Sequence, residues 1–179
     1  METIVREAEP GDAQALLDYA RRLFAEPHLN IPVAPDEFTM SLAEQVDRIA
    51  LYRERPNWRM LLALDETGRI VGMLECHGSP RRALLHATEL TVSVAKASRG
   101  QGIGTQLLRA AQDWACQGGV VARIELSLYA RNEAARRLYE RLGFRVEGRR
   151  RRAIREGDRY LDELIMAWLV EAEEAEPQG

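Results

Sequence analysis

Residues 97–108 read ASRGQGIGTQLL. Arg99 is followed by Gly100, Gly102 and Gly104, and an apolar helical stripe of Leu107, Leu108, Ala111, Trp114 and Ala115 begins directly behind them. Glycine frees the backbone for unusual φ angles and for close approach. The start of a helix presents N–H groups with no intrahelical partner, and the helix dipole adds positive potential there. Together these make a seat for an anion, phosphate above all. The Arg99 guanidinium adds a full charge and a planar fork of donors.

Three phosphate-binding designs compete for this stretch. A Walker loop requires G-x-x-x-x-G-K-[S/T], and Thr105 follows Gly104 with no lysine between them. A dinucleotide loop requires G-x-G-x-x-G. Counting from Gly102 and Gly104 puts Leu107 at the third glycine, and counting from Gly100 and Gly102 puts Thr105 there. Glu125 stands where an acidic ribose ligand would be expected, but the preceding strands read as antiparallel hairpins, not as the opening of a βαβ unit. The third design, R-x-x-G-x-G, fits Arg99-Gly100-Gln101-Gly102-Ile103-Gly104 behind the strand ELTVSV.

Downstream, the loop's helix runs to about Gln117 and is ended by Gly118-Gly119. Arg123 to Tyr129 reads as a strand, Asn132 to Leu142 as a helix stopped by Gly143, and Phe144 to Ile154 with Arg159 to Val170 as two strands around Arg155-Glu156-Gly157-Asp158. Upstream, Leu84 to Val94 reads as a strand whose Leu90, Val92 and Val94 share one face while Glu89, Thr91 and Ser93 share the other. RMLLALD and RIVGMLE flank Glu66-Thr67-Gly68 as a hairpin. Ser41 and Glu44 form a capping box for a helix with Leu42, Val46, Ile49 and Arg53 inward. A first helix spans about Gly11 to Ala25, and Thr3 to Ala8 is a first strand. Between the two helices, EPHLNIPVAPDEF is a long proline-rich loop of the kind that serves as a lid or binding loop.

This order, with RNEAARRLYERLGF behind the glycine loop, resembles the GNAT acetyltransferase superfamily over about residues 3 to 170. The family features carried by that stretch are Asn132 at the helix start, Tyr139, and Gly143-Phe144. The match is weakest from the first helix to the second, where such enzymes differ in acceptor. The resemblance implies an α/β (α+β) GNAT fold: a mixed, strongly twisted sheet of about seven strands with four helices. Its fourth and fifth strands part to hold acetyl-coenzyme A as co-substrate.

By the same resemblance, pantetheine pairs with main-chain groups of Val92, Ser93 and Val94. The pyrophosphate sits on N–H groups from Arg99 through Gly100, Gln101, Gly102, Ile103 and Gly104 to Thr105, approached closely at Gly102 and Gly104. Asn132 contacts the pantetheine or phosphate region, and Tyr139 lies near the coenzyme sulfur. Asn132 and Tyr139 are about two helical turns apart and share one face. A phenol there can protonate or solvate the departing thiolate.

The acceptor amine arrives protonated, and Glu89 is the candidate base. It lies on the polar face of its strand, where a bulge beside the thioester is expected, and half-burial would raise its pKa. Glu75 and Glu125 on neighbouring strands are alternatives. His86, three residues before Glu89, falls on the opposite side of an ideal strand and reads as structural. Cys76 and His77 are adjacent, so they point to opposite faces and cannot readily pair as nucleophile and base. Direct transfer is therefore expected. Arg149 to Arg152 with Arg155 reads mainly as a solvated basic run. Arg131 and Arg136 could reach a 3′-phosphate of the coenzyme or form surface salt bridges.

The remaining properties bound the reading. The 179 residues make one domain over 1–170, and the acidic 171–179 read as a disordered tail. With 25 basic and 28 acidic residues the net charge is −3, which gives no global reason to expect nucleic acid. The two cysteines show no metal-ligand spacing, and no metal is expected. The N-terminal METIVREAEP lacks an apolar signal core, and no apolar run approaches the ~20 residues that span a bilayer. No membrane is therefore expected, and a cytoplasmic setting is the default. The favoured function is N-acetylation of a small-molecule primary amine. A peptide acceptor, a non-catalytic acyl-coenzyme A-binding module and, last, a dinucleotide oxidoreductase are the alternatives. A homodimer through the final strands is also open.

Overall fold

A computed structural model describes residues 3–26, 31, 33 and 35–171. Residues 27–30, 32 and 34 of the proline-rich loop and residues 172–179, where the disordered tail is expected, lie outside the described residues. The elements run β1 (Ile4–Glu7), α1 (Ala13–Phe24), α2 (Leu42–Glu54), β2 (Arg59–Leu64), β3 (Ile70–Gly78), β4 (Ala87–Val94), α3 (Ile103–Gly118), β5 (Arg123–Tyr129), α4 (Glu133–Arg141), β6 (Arg145–Glu156) and β7 (Arg159–Leu169). Short 3-10 turns join several of them. This is the order the sequence implies.

The seven strands form one sheet in the order β1-β2-β3-β4-β5-β7-β6. Neighbours are antiparallel except β4 and β5, which run parallel. Helices cover both faces. On one, α3 lays Ile103, Leu107, Leu108 and Ala111 against Leu61, Leu74, Cys76 and Leu90. On the other, α1 and α2 set Leu16, Tyr19, Ile49 and Tyr52 against Met60 and Leu62. Burial on both faces explains why RMLLAL is a continuous apolar run rather than an alternating one. Gly72 sits where α3 comes nearest the sheet: a Cβ there would lie 3.1 Å from side-chain carbons of both Ile103 and Leu107.

Local differences from the sequence reading have simple causes. The strand expected from Leu84 starts at Ala87, because Arg82–Leu84 wind a 3-10 turn. The Ser41–Glu44 capping box is present and starts α2. The inner face of α2 is Gln45, Ile49 and Tyr52, whereas Leu42 is exposed.

The sheet's consequential feature is where β4 and β5 stop pairing. Ala87, Thr88 and Glu89 pair with Arg123, Ile124 and Glu125, and there the ladder ends. Beyond it β4 continues to Val94 bound only to β3, while β5 continues to Tyr129 bound only to β7. The strands therefore part, as the resemblance implies.

Candidate active site

The parted strands open a cleft of about 440 Å³ lined on the β4 side by Glu89 to Ser93, on the β5 side by Ser127 to Tyr129, and at its α4 wall by Asn132 and Tyr139. Main-chain groups of β4 that would face β5 beyond Glu89 have no strand partner there. The expected pantetheine track, Val92 and Ser93, lies along this edge. Val94 ends it, and its carbonyl already accepts Arg99 Nε at 2.9 Å. Ser93 is further fixed by a 3.0 Å hydrogen bond between its Oγ and the Tyr19 hydroxyl.

The glycine loop follows. Gly100 and Gly102 have φ of 76° and 81°, in the left-handed region that glycine tolerates and a side chain disfavours. No backbone hydrogen bond is made by the N–H groups of residues 100–105 among the described residues, whereas Gln106 N closes the first helical bond on Gly102 O at 3.0 Å. A row of free donors thus stands at the mouth of α3, where a helix start favours an anion. Gly104 has an ordinary φ, and a Cβ there would meet Leu138 Cδ2 at 3.4 Å, an ordinary contact distance.

Arg99 is more committed than the sequence suggests. Besides Val94 O, its Nη2 donates to Glu26 Oε2, and Glu26 Oε1 accepts the Lys96 backbone N–H at 2.8 Å. Glu26 just past α1 is thus a clamp on the loop. Sequence reasoning missed it because nothing in spacing couples two residues that far apart.

Asn132 is the N-cap of α4, with its Oδ1 accepting Ala135 N–H at 3.2 Å while the residue lines the cleft. Tyr139 on α4 is 8% exposed, its ring 5.7 Å from that of Phe144. Burial pushes the phenol up to about 12, which keeps it protonated and able to donate. Its hydroxyl has no hydrogen-bond partner among the described residues.

Glu89 lines the cleft but is exposed, not half-buried as expected. The expected bulge is also absent: β3 and β4 pair one for one from Gly72–Val94 to Gly78–Thr88. The regular ladder leaves Glu89 at the cleft's open rim. Glu75, the alternative, lines the cleft while buried, and Glu163 of β7 joins them. Glu125 does not line it. No lysine or arginine lines the cleft among the described residues, and of its three carboxylates Glu75 and Glu163 are paired from outside it with Arg48 and Arg150.

The other candidates resolve simply. Cys76 is fully buried on the α3 face, and burial pushes its thiol well up. His77 lies on the opposite face with its ring 3.7 Å from that of Trp58, so the two do not pair. His86 precedes β4 and its carbonyl accepts Ala122 and Arg123 N–H. Arg131 and Arg136 bind Glu156 and Glu140, and Arg149 and Arg150 bind Asp162 and Glu163 across the β6–β7 ladder. Phe38 packs on Phe24, which itself lines the cleft, with ring centroids 5.1 Å apart.

A sheet split between β4 and β5, beside a row of free N–H groups at the mouth of α3, is the arrangement these residues build. The Acetyltransferase (GNAT) family profile matches residues 17–144, and the chain belongs to that family. The L-amino acid N-acetyltransferase AaaT of Escherichia coli (strain K12) is 27% identical over 93% of this chain and 97% of its own. Among solved structures, a GNAT-family acetyltransferase from Streptococcus pneumoniae superposes with a TM-score of 0.89 at 28% identity, covering 95% of this chain and 100% of its own. A ribosomal-protein-alanine N-acetyltransferase from Brucella melitensis gives 0.79 at 28% identity, covering 93% and 99%.

Proposed function

We propose that this N-acetyltransferase moves the acetyl group of acetyl-coenzyme A directly to a primary amine of a small molecule. The observation that carries the reading is the cleft itself: a buried, protonated phenol on one wall and carboxylates on the other, next to a row of free N–H donors. The residues fit the coenzyme. The donors of residues 100–105 suit its diphosphate, and the unpaired edge at Val92 and Ser93 suits its amide-bearing arm. The coenzyme supplies a thioester, an acyl group with a good leaving thiol.

The chain's own groups do the rest. Transfer forms an N–C bond and breaks the C–S bond. Tyr139 gives its hydroxyl proton to the departing sulfur and recovers one, by way of solvent, as the acetylated nitrogen sheds its remaining extra proton. Glu89, exposed at the rim, takes the proton of the incoming ammonium through water. Binding both partners side by side removes the entropy cost of their meeting.

Relatives of nearly equal identity are named for amino-acid and for protein acceptors. A small acceptor is favoured by the cleft's volume and by Phe38 and Phe24 packed at its edge. An amine panel with free-thiol detection tests this, spanning polyamines, amino acids, aminoglycosides and short peptides. Thiol release with small amines supports the reading. Release with peptides alone overturns the acceptor, and failure to bind acetyl-coenzyme A overturns the whole.

A further inference from the structure

Glu75 stands out among the carboxylates of the cleft. It sits on β3 opposite Thr91 of β4, is 9% exposed, and lines the cavity. Its Oε2 accepts Arg48 Nη2 at 2.7 Å. Its Oε1 is buried and has no hydrogen-bond partner among the described residues. A buried carboxylate oxygen without a donor is costly and calls for a partner, a ligand's donor among them. Arg48 reaches in from α2, its guanidinium 5.2 Å from the Tyr52 ring centre, and so fixes the carboxylate from behind.

The surroundings say what kind of donor belongs there. Met73 precedes Glu75 on the same face of β3. Leu23 and Phe24 at the end of α1, with Ile31, line the same cavity. These four are apolar. Glu89 is diagonal to Glu75 on the same face of the sheet.

Resting on the acetyltransferase reading above, the geometry points to the Glu75 carboxylate as the docking point of the acceptor's ammonium, and to an acceptor whose body is hydrocarbon. The apolar body lies against Leu23, Phe24, Ile31 and Met73. The ammonium donates to Glu75, and a proton leaves by way of Glu89 before the nitrogen attacks. Arg48 is a positioning residue that acts through Glu75.

The test measures binding of 2-phenylethylamine to the complex of the full chain with coenzyme A, by calorimetry near neutral pH. 2-Phenylethanol serves as a probe of like shape without the charge. The wild type should bind the amine roughly tenfold or more tighter than the alcohol. Glu75→Gln should remove that preference and leave coenzyme A affinity unchanged. Glu89→Gln should leave amine binding as it is and lower kcat. Equal binding of amine and alcohol by the wild type, which requires no variant to fold, overturns the assignment. So does a Glu75→Gln protein that keeps the preference, or an amine that does not bind while coenzyme A does. If coenzyme A itself does not bind, the acetyltransferase reading falls first, and the two failures are thereby distinguished.

Discussion

Glu26 and Arg99 meet at the edge of the glycine loop, joining the end of α1 to the residue that opens the glycine run. The same carboxylate holds the Lys96 N–H, so one side chain secures both a backbone donor and a guanidinium. The pair is partly exposed, with Arg99 at 46% and Glu26 at 14%, so its charge attraction alone contributes little. The backbone bond is the larger part of the clamp. Glu26→Gln keeps an oxygen for Lys96 and should bind coenzyme A nearly as the wild type does. Glu26→Ala removes both contacts and should raise Kd by about fivefold, the equivalent of ~1 kcal/mol for a lost hydrogen bond. Titration of the two variants with coenzyme A checks this. Equal losses in both would mean that charge, and not the backbone bond, holds the loop.

Tyr139→Phe removes one oxygen from a residue already packed on Phe144. Packing and the cofactor cradle are untouched, so acetyl-coenzyme A affinity should be retained. Turnover should fall roughly 10²-fold, the lower range for loss of a positioned proton donor. Steady-state kinetics with the best acceptor of the amine panel measures it. Unchanged kcat would remove the phenol from the chemistry.

What was legible in the sequence was whatever short-range chemistry writes. The Ser41–Glu44 box, the glycine loop, the Gly118-Gly119 stop and the Asn132-to-Tyr139 spacing each depend on neighbours within a few residues, and each falls where expected. Periodicity gave the spacing of a buried stripe but not its phase: on α2 the stripe is Gln45–Ile49–Tyr52, leaving Leu42 in solvent. The environment of Glu89 was not legible, because exposure depends on how far β4 and β5 part. Arg48 with Glu75 and Glu26 with Arg99 were beyond reach for the same reason, since tertiary packing alone joins them.

Gly102 separates conformation from contact. A Cβ there meets nothing within 4 Å, yet φ is 81°. Gly102→Ala should therefore destabilise the native loop by ~1–2 kcal/mol through backbone strain alone. Gly102→Asn should cost less, because asparagine tolerates the left-handed region. Urea unfolding of the two variants, with coenzyme A titration alongside, would read both effects. An alanine variant as stable as the wild type would mean that the loop relaxes to another conformation.

Burial raises both Tyr19 and Tyr139 to about 12 from an ordinary value of 10. Tyr52 and Tyr129 move the same way. Above pH 10 the unfolded chain releases these protons while the folded chain keeps them. The unfolded state then binds fewer protons, so the slope of stability with pH is negative. The stability is whole below pH 10 and is lost as pH rises toward 12. At pH 11 a tyrosine displaced in this way accounts for ~1.4 kcal/mol of the loss. Tyr139→Phe has no proton to release and should show a shallower alkaline decline by about that amount, whatever its stability at neutral pH. Urea unfolding at pH 8 and pH 11 for the wild type and the variant gives the two declines. Parallel declines would mean that the Tyr139 hydroxyl titrates in the folded protein as it does in the unfolded chain, and so is solvated in the cleft.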